Sequence, residues 1–376
     1  MMRFSVLDSW RGISALFVAL FHLNAYGHFY SLPLVRNSYL FVDFFFVLSG
    51  FVISHTYLSR LNARGDLLPF MIRRFGRVWP LHVAMLAVFI AFPLSEWVVC
   101  YTTHVCGTAW PFQQKDVRTA LSNIFLVHAM GVDDELSWNW PSWSISVEFY
   151  AYILFAVACI ALRSMLVPFA LVIVTISAAI IVLLSPTYME ATYDLGYFRC
   201  LFGFFLGYVV LRLYRANNLK VGRLATPLEL VALLGAGTFL SLVGTSKGAI
   251  FAPLVFGCCV YVFAHEAGWI SRILQRRPFL KLGRWSYSVY MVHAFILIVL
   301  LRVVRGVEKL FDIPIRLDMG YTAKLYYVHD RFLMDIVAIL YLLVVIAVAS
   351  LTYRMVEDPG RRYFNKLAKT IDAKVE

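Results

Sequence analysis

The chain has 376 residues, 61% of them hydrophobic and 15% charged, with a mean hydropathy of +0.74. A soluble domain is about 45–50% apolar and about 25% charged, so this composition excludes a water-soluble globular enzyme and sets the excess apolar surface against lipid. In such a chain the net charge of +12, from 34 Lys and Arg against 22 Asp and Glu, reports membrane orientation before it reports nucleic-acid binding.

No polar or Pro/Gly/Ser-rich stretch divides the sequence, which predicts one polytopic membrane domain over 1–360 and a short basic cytoplasmic tail at 361–376. The predicted fold class is all-α. The opening MMRFSVLDSWRG lacks a signal-peptide cleavage pattern, so no cleavage is expected. About ten apolar stretches are long enough to span a bilayer: 11–30, 38–58, 78–97, 144–162, 165–186, 196–213, 227–245, 249–266, 285–303 and 333–353. An even count puts both termini on one side. With both in the cytoplasm, roughly two-thirds of the 34 Lys and Arg residues lie inside. The exception is the long, nearly charge-balanced outer loop 304–332. No internal repeat of the transporter kind is visible.

Ionisable residues within apolar spans are functional candidates. In VLDSWRGISALFVALFHLN, Arg11 and His22 are eleven residues apart, on one helix face and about 16 Å apart along its axis. Asp8 joins that face. The aspartate and arginine suit a helix end. A histidine near mid-membrane has no anchoring use and is the commonest general base, although a buried histidine bonded to a neighbouring helix is the plainer reading. Asp43, in VDFFFVLSGF, is explained by hydrogen bonding between helices.

FMIRRFGRVWP carries Arg73, Arg74 and Arg77 at the inner end of the third span. Such a cluster either holds the cytoplasmic boundary and lipid headgroups or grips a diphosphate, since guanidinium forks match phosphate oxygens. The outer stretch 98–143 follows. Cys100 and Cys106 flank its YTTHV and either pair in an oxidising compartment or stay free. Its TALSNIFLVHAM is too short to span and reads as a re-entrant or interfacial helix. None of the six cysteines shows a zinc spacing, so no metal is expected.

In PSWSISVEFYAY, Glu148 shares a face with Ser144 and Tyr152. It either favours the helix dipole or, with Trp140, Trp143 and Ser142, lines an interfacial site. Near the C-terminus, WSYSVYMVHAF repeats Ser286, Tyr290 and His293 along one face, again as interhelical hydrogen bonding explains.

Taken together these stretches resemble the acyltransferase 3 family. The resemblance runs in order through LDSWRG with the Arg11 to His22 spacing, FVDFFFVLSGFVIS, FMIRRFGRVWP, PSWSISVEFYAY, YFRCLFGFFLGYVV with Arg199, GRWSYSVYMVH and MVEDPGRR, covering nearly the whole chain. It implies a ten-helix bacterial inner-membrane domain that moves an acyl group, often acetyl, from acyl-CoA to a hydroxyl of an extracytoplasmic carbohydrate or glycolipid. Its partners would be acyl-CoA, that acceptor and membrane lipids, with no nucleic acid. It also implies that Arg11 and His22 are the family's arginine and histidine pair, that Arg74 and Arg77 with Arg73 are its arginine motif, and that Glu148 is the acid of its SWS motif. No appended esterase-like domain is expected, leaving both steps of transfer to the membrane domain.

On that reading Arg73, Arg74 and Arg77 hold the CoA phosphates at the cytoplasmic edge and the pantetheine arm reaches inward to His22. His22 takes the acceptor proton and returns it to the leaving thiolate, or itself becomes acylated. Asp8 and Arg11 support, and Glu148 orients the acceptor or His22. The competing classes are a transporter or lipid-linked sugar flippase lined by the same residues and a receptor or scaffold glued by them.

Overall fold

The structure, a computed structural model, describes residues 4–103, 116–217, 222–312, 314–318, 324–326 and 330–375. Cys106, and with it the pairing of Cys100, lies outside them. The main helices in chain order are α1 (Ser5–Leu23), α2 (Phe41–Tyr57), α3 (Leu67–Thr103), α4 (Val117–Ile124), α5 (Trp143–Leu162), α6 (Leu166–Leu184), α7 (Gly196–Ala216), α8 (Ala225–Val243), α9 (Ala252–Phe263), α10 (Arg277–Phe311), α11 (Arg331–Thr352) and α12 (Asp358–Val375). Strands β1 (Arg316–Asp318) and β2 (Lys324–Tyr326) pair antiparallel, a short ladder that the all-helical expectation did not contain.

Each of the ten predicted spans contains a helix. Among the described residues, eight stretches are long and apolar enough to cross a membrane, with α5 and α6 together in one of them and α9 in a shorter apolar stretch. In hydrocarbon a helix satisfies its backbone polar groups internally, which is why such segments fold this way. Their outer faces carry bare aliphatics, such as Leu183 on α6 and Leu242 on α8, each more than three-quarters exposed and suited to lipid.

The chain divides into two compact units. The first comprises Met1–Arg60, Leu162–Ala191 and Phe198–Leu351. Here α1 and α10 run parallel, with residues of α1 facing residues some 271 to 275 positions later. Glycine permits the close approach: a Cβ on Gly12 would come within 2.7 Å of the Leu282 carbonyl carbon, and one on Gly283 would overlap the Asp8 carbonyl. Lacking a side-chain N-cap of its own, α1 is capped from a distance by Glu266, which accepts from the Val6 N–H at 2.7 Å and the Ser5 hydroxyl at 3.1 Å.

The predicted span 11–30 is displaced: α1 begins at Ser5 and ends at Leu23, where Asn24 turns left-handed with φ 50°. Short turns at His28–Ser31 and Pro33–Arg36 follow. His22 is therefore in the last turn of its helix instead of its middle.

The second unit comprises Leu61–Ala161, Thr192–Tyr197 and Thr352–Glu376. Its 37-residue α3 is about 55 Å long, well beyond an apolar core of about 30 Å. The helix α12, over the predicted tail, packs on it: the Phe364 ring meets Phe75 edge-on at 5.5 Å. A π-helical turn, Tyr353–Glu357, precedes α12 and carries Glu357 into the interior. The short helix expected at TALSNIFLVHAM is α4, which spans Val117–Ile124 and stops before Leu126, whose φ is 59°.

Candidate active site

In the first unit, α1 sets Arg11 two turns into its helix. The Arg11 Nη2 donates to Asp8 Oδ1 at 3.0 Å and its Nε to Ser286 Oγ of α10 at 2.9 Å. Arg11 is thus held from both helices. Three turns further along, His22 Nδ1 lies 2.9 Å from the Val18 carbonyl oxygen and 3.2 Å from His293 Nε2. His293 Nδ1 lies 2.6 Å from the Tyr290 carbonyl oxygen, and the Tyr341 hydroxyl donates to the His293 carbonyl at 3.0 Å. The two imidazole rings are 5.0 Å apart. Two residues that the sequence left as interhelical glue, Ser286 and His293, therefore contact Arg11 and His22.

Asp43 and Arg199 also meet in this unit. Both are buried, and the guanidinium forks onto the carboxylate at 2.9 and 2.7 Å while also donating to the Ala191 and Tyr39 carbonyls. All these acceptors lie around one guanidinium, an arrangement that fixes α2 against α7.

In the second unit, Arg73, Arg74 and Arg77 follow one another on α3. Arg77 pairs with Glu357, which is buried, and Arg73 with Asp372 of α12, which is 41% exposed. The first turn of α12 adds Arg361 and Arg362, both bound to Asp358 at 2.5 and 2.6 Å. This leaves a basic group with carboxylates already interleaved, so an anion arriving there would exchange with the exposed Asp372 more readily than with Glu357. Glu148 stands in the second turn of α5 and accepts from the Tyr152 hydroxyl at 2.7 Å, the i, i+4 partner expected from their spacing.

A second histidine pair was not singled out from the sequence. His82 of α3 and His128 stack with rings 5.5 Å apart and 6° from parallel. His82 Nε2 donates to the Asn123 carbonyl at 2.9 Å, and His128 Nε2 meets Ser142 Oγ at 3.1 Å. Burial and then the neighbouring His82 push the His128 imidazole down to about 3, so it is neutral at ordinary pH. Forty-six residues separate the two histidines, and no local pattern marks them.

A family model described as an acyltransferase domain matches residues 4–354, and the chain belongs to the acyltransferase 3 family. Protein 2 in the picA locus of Rhizobium radiobacter is 40% identical over 105 residues, 27% of this chain and 52% of that protein. The peptidoglycan O-acetyltransferase OatA of Listeria monocytogenes is 25% identical over 331 residues, 76% of this chain and 48% of that protein. YrhL of Bacillus subtilis, provisionally named for the same activity, is 24% identical over 322 residues, 76% of this chain and 47% of that protein. The chain thus spans about half the length of the curated relatives it matches. No solved structure matches it. The chain is thus an acyltransferase-family domain built on helices apolar enough to cross a membrane, and O-acetylation is what the names of OatA and YrhL say of those two proteins.

Proposed function

We propose that the protein transfers an acyl group, acetyl foremost, from cytoplasmic acyl-CoA to a hydroxyl of an extracytoplasmic carbohydrate, in a bacterial inner membrane with both termini cytoplasmic. The observation that carries this reading is His22. It is an imidazole in the last turn of an apolar helix, with its Nδ1 engaged by a carbonyl and a second histidine. A half-buried histidine so oriented suits proton transfer better than it suits anchoring. The names of OatA and YrhL make peptidoglycan sugars the first acceptors to assay.

In the reaction the acceptor oxygen attacks the thioester carbonyl as His22 Nε2 takes its proton. The carbon–sulfur bond then breaks, and the proton passes from His22 to the departing thiolate. The His22 ring also sits at the negative end of the α1 dipole, which favours the transient imidazolium. Arg73, Arg74 and Arg77 would receive the CoA phosphates, whose charge-assisted bonds replace that of Asp372. Glu148 would orient the acceptor, and Arg11 with Asp8 would brace α1 on α10.

The test is release of CoA thiol from acetyl-CoA by the purified protein in nanodiscs, alone and with peptidoglycan fragments. Acceptor-dependent release is expected, together with thermal stabilisation by CoA. No release from any acyl-CoA, with an unchanged melting profile at millimolar CoA, would point instead to a transporter.

A further inference from the structure

We propose that His293 is a positioning residue that, together with the Val18 carbonyl, holds the tautomer of His22 and accepts from its Nδ1–H throughout the reaction. The inference rests on His22 being the base. Its argument is a count of ring protons. A carbonyl oxygen only accepts, so the 2.6 Å contact of His293 Nδ1 with the Tyr290 carbonyl places the His293 proton on Nδ1. A neutral imidazole has one N–H, and His293 Nε2 is left as an acceptor.

That acceptor faces His22 Nδ1 at 3.2 Å, and the same Nδ1 faces the Val18 carbonyl at 2.9 Å. A proton on His22 Nδ1 serves both. The opposite tautomer would set a bare Nδ1 lone pair against two other acceptors. The lone pair of His22 is therefore on Nε2, and uptake of a proton there leaves both Nδ1 contacts unchanged. The imidazolium forms without any group having to turn, which is the condition for low reorganisation during catalysis. The role is the one a carboxylate plays beside a catalytic histidine, performed here by a neutral ring. His293 is itself held: its side chain is fully buried, and the Tyr341 hydroxyl binds its backbone carbonyl at 3.0 Å.

The test uses protein labelled with 15N-histidine in nanodiscs, with the His22 nitrogen signals assigned by their loss in His22→Asn. Wild type is expected to show a protonated Nδ1 and a bare Nε2. In His293→Leu the Nδ1–H keeps the Val18 carbonyl but loses its second acceptor, so a fraction of the Nε2–H tautomer is expected to appear and kcat for acyl transfer to fall about 10- to 100-fold, with the KM for acetyl-CoA unchanged. In His293→Gln the amide oxygen can accept the same N–H, so the single tautomer and most of the rate should return.

A wild-type His22 protonated on Nε2 would overturn the proposal, as would a His293→Leu protein that keeps both the tautomer and the rate. Equal losses in the two variants with the tautomer unchanged would make His293 merely structural. If His293→Leu does not fold, wild type and His293→Gln still decide the tautomer. Absence of turnover in wild type would sink the acyltransfer reading alone, because the nitrogen signals are read without it.

Discussion

Arg199 and Asp43 are the clearest case at the scale of single residues. A guanidinium 1% exposed on a carboxylate 0% exposed is tolerable only while both are present. Asp43→Asn or Arg199→Leu should destabilise the protein by about 3–5 kcal/mol, and replacing both together with apolar residues should recover much of that loss; thermal unfolding of the three variants is the measurement. The sequence showed each half of this pair in its own motif but not the pairing, because 156 positions separate them.

His128 gives a pH prediction at the same scale. Its ring is held neutral in the folded protein down to about 3, whereas the unfolded chain takes a proton near 6.5. Between those values the unfolded state binds more protons, so stability falls as pH drops through that window, by up to about 1.4 kcal/mol per pH unit from this group. Unfolding midpoints measured from pH 7 to pH 4 should decline less steeply in His128→Asn than in wild type. Identical slopes would remove His128 from the account.

At the scale of elements, the parallel pairing of α1 with α10 brings Arg11 and His22 against Ser286 and His293. The eleven-residue spacing of Arg11 and His22 was legible because helical periodicity is local. Their partners Ser286 and His293 also showed as one helix face, but which helix that face met was not, since helix pairing is decided by side-chain packing across the chain. Gly283→Val would drive a side chain into the Asp8 carbonyl, so α1 should separate from α10. Loss of acyl transfer is expected, and a variant of full activity would show that the contact is dispensable.

The end of α1 was misplaced because hydropathy continues through Ala25, Tyr26, Phe29 and Tyr30, while the left-handed Asn24 that stops the helix leaves no hydropathy signal. The basic group on α3 carries its own prediction. Asp372 competes with any incoming phosphate for Arg73, so Asp372→Asn should tighten CoA binding by a few-fold, roughly the worth of one partly exposed ion pair. Calorimetric titration with CoA is the check, and weaker binding would argue that the arginines serve the fold alone.

For the molecule as a whole, composition was enough for a helical membrane protein, and seven motifs in a fixed order were enough for the family. Each motif is a helix segment whose polar residues stand out against an apolar background, which is why they were readable. The stacked His82 and His128, and the pairing of Arg77 with Glu357 through a π-helical turn, were not, because their geometry exists only after distant segments pack.

The central claim is that His22 moves the acceptor proton, and acetyl transfer by wild type and by His22→Ala at matched CoA affinity tests it most directly. Transfer in the variant should fall by about 10²- to 10⁴-fold while CoA binding is preserved. Transfer at the wild-type rate with His22 removed would contradict it.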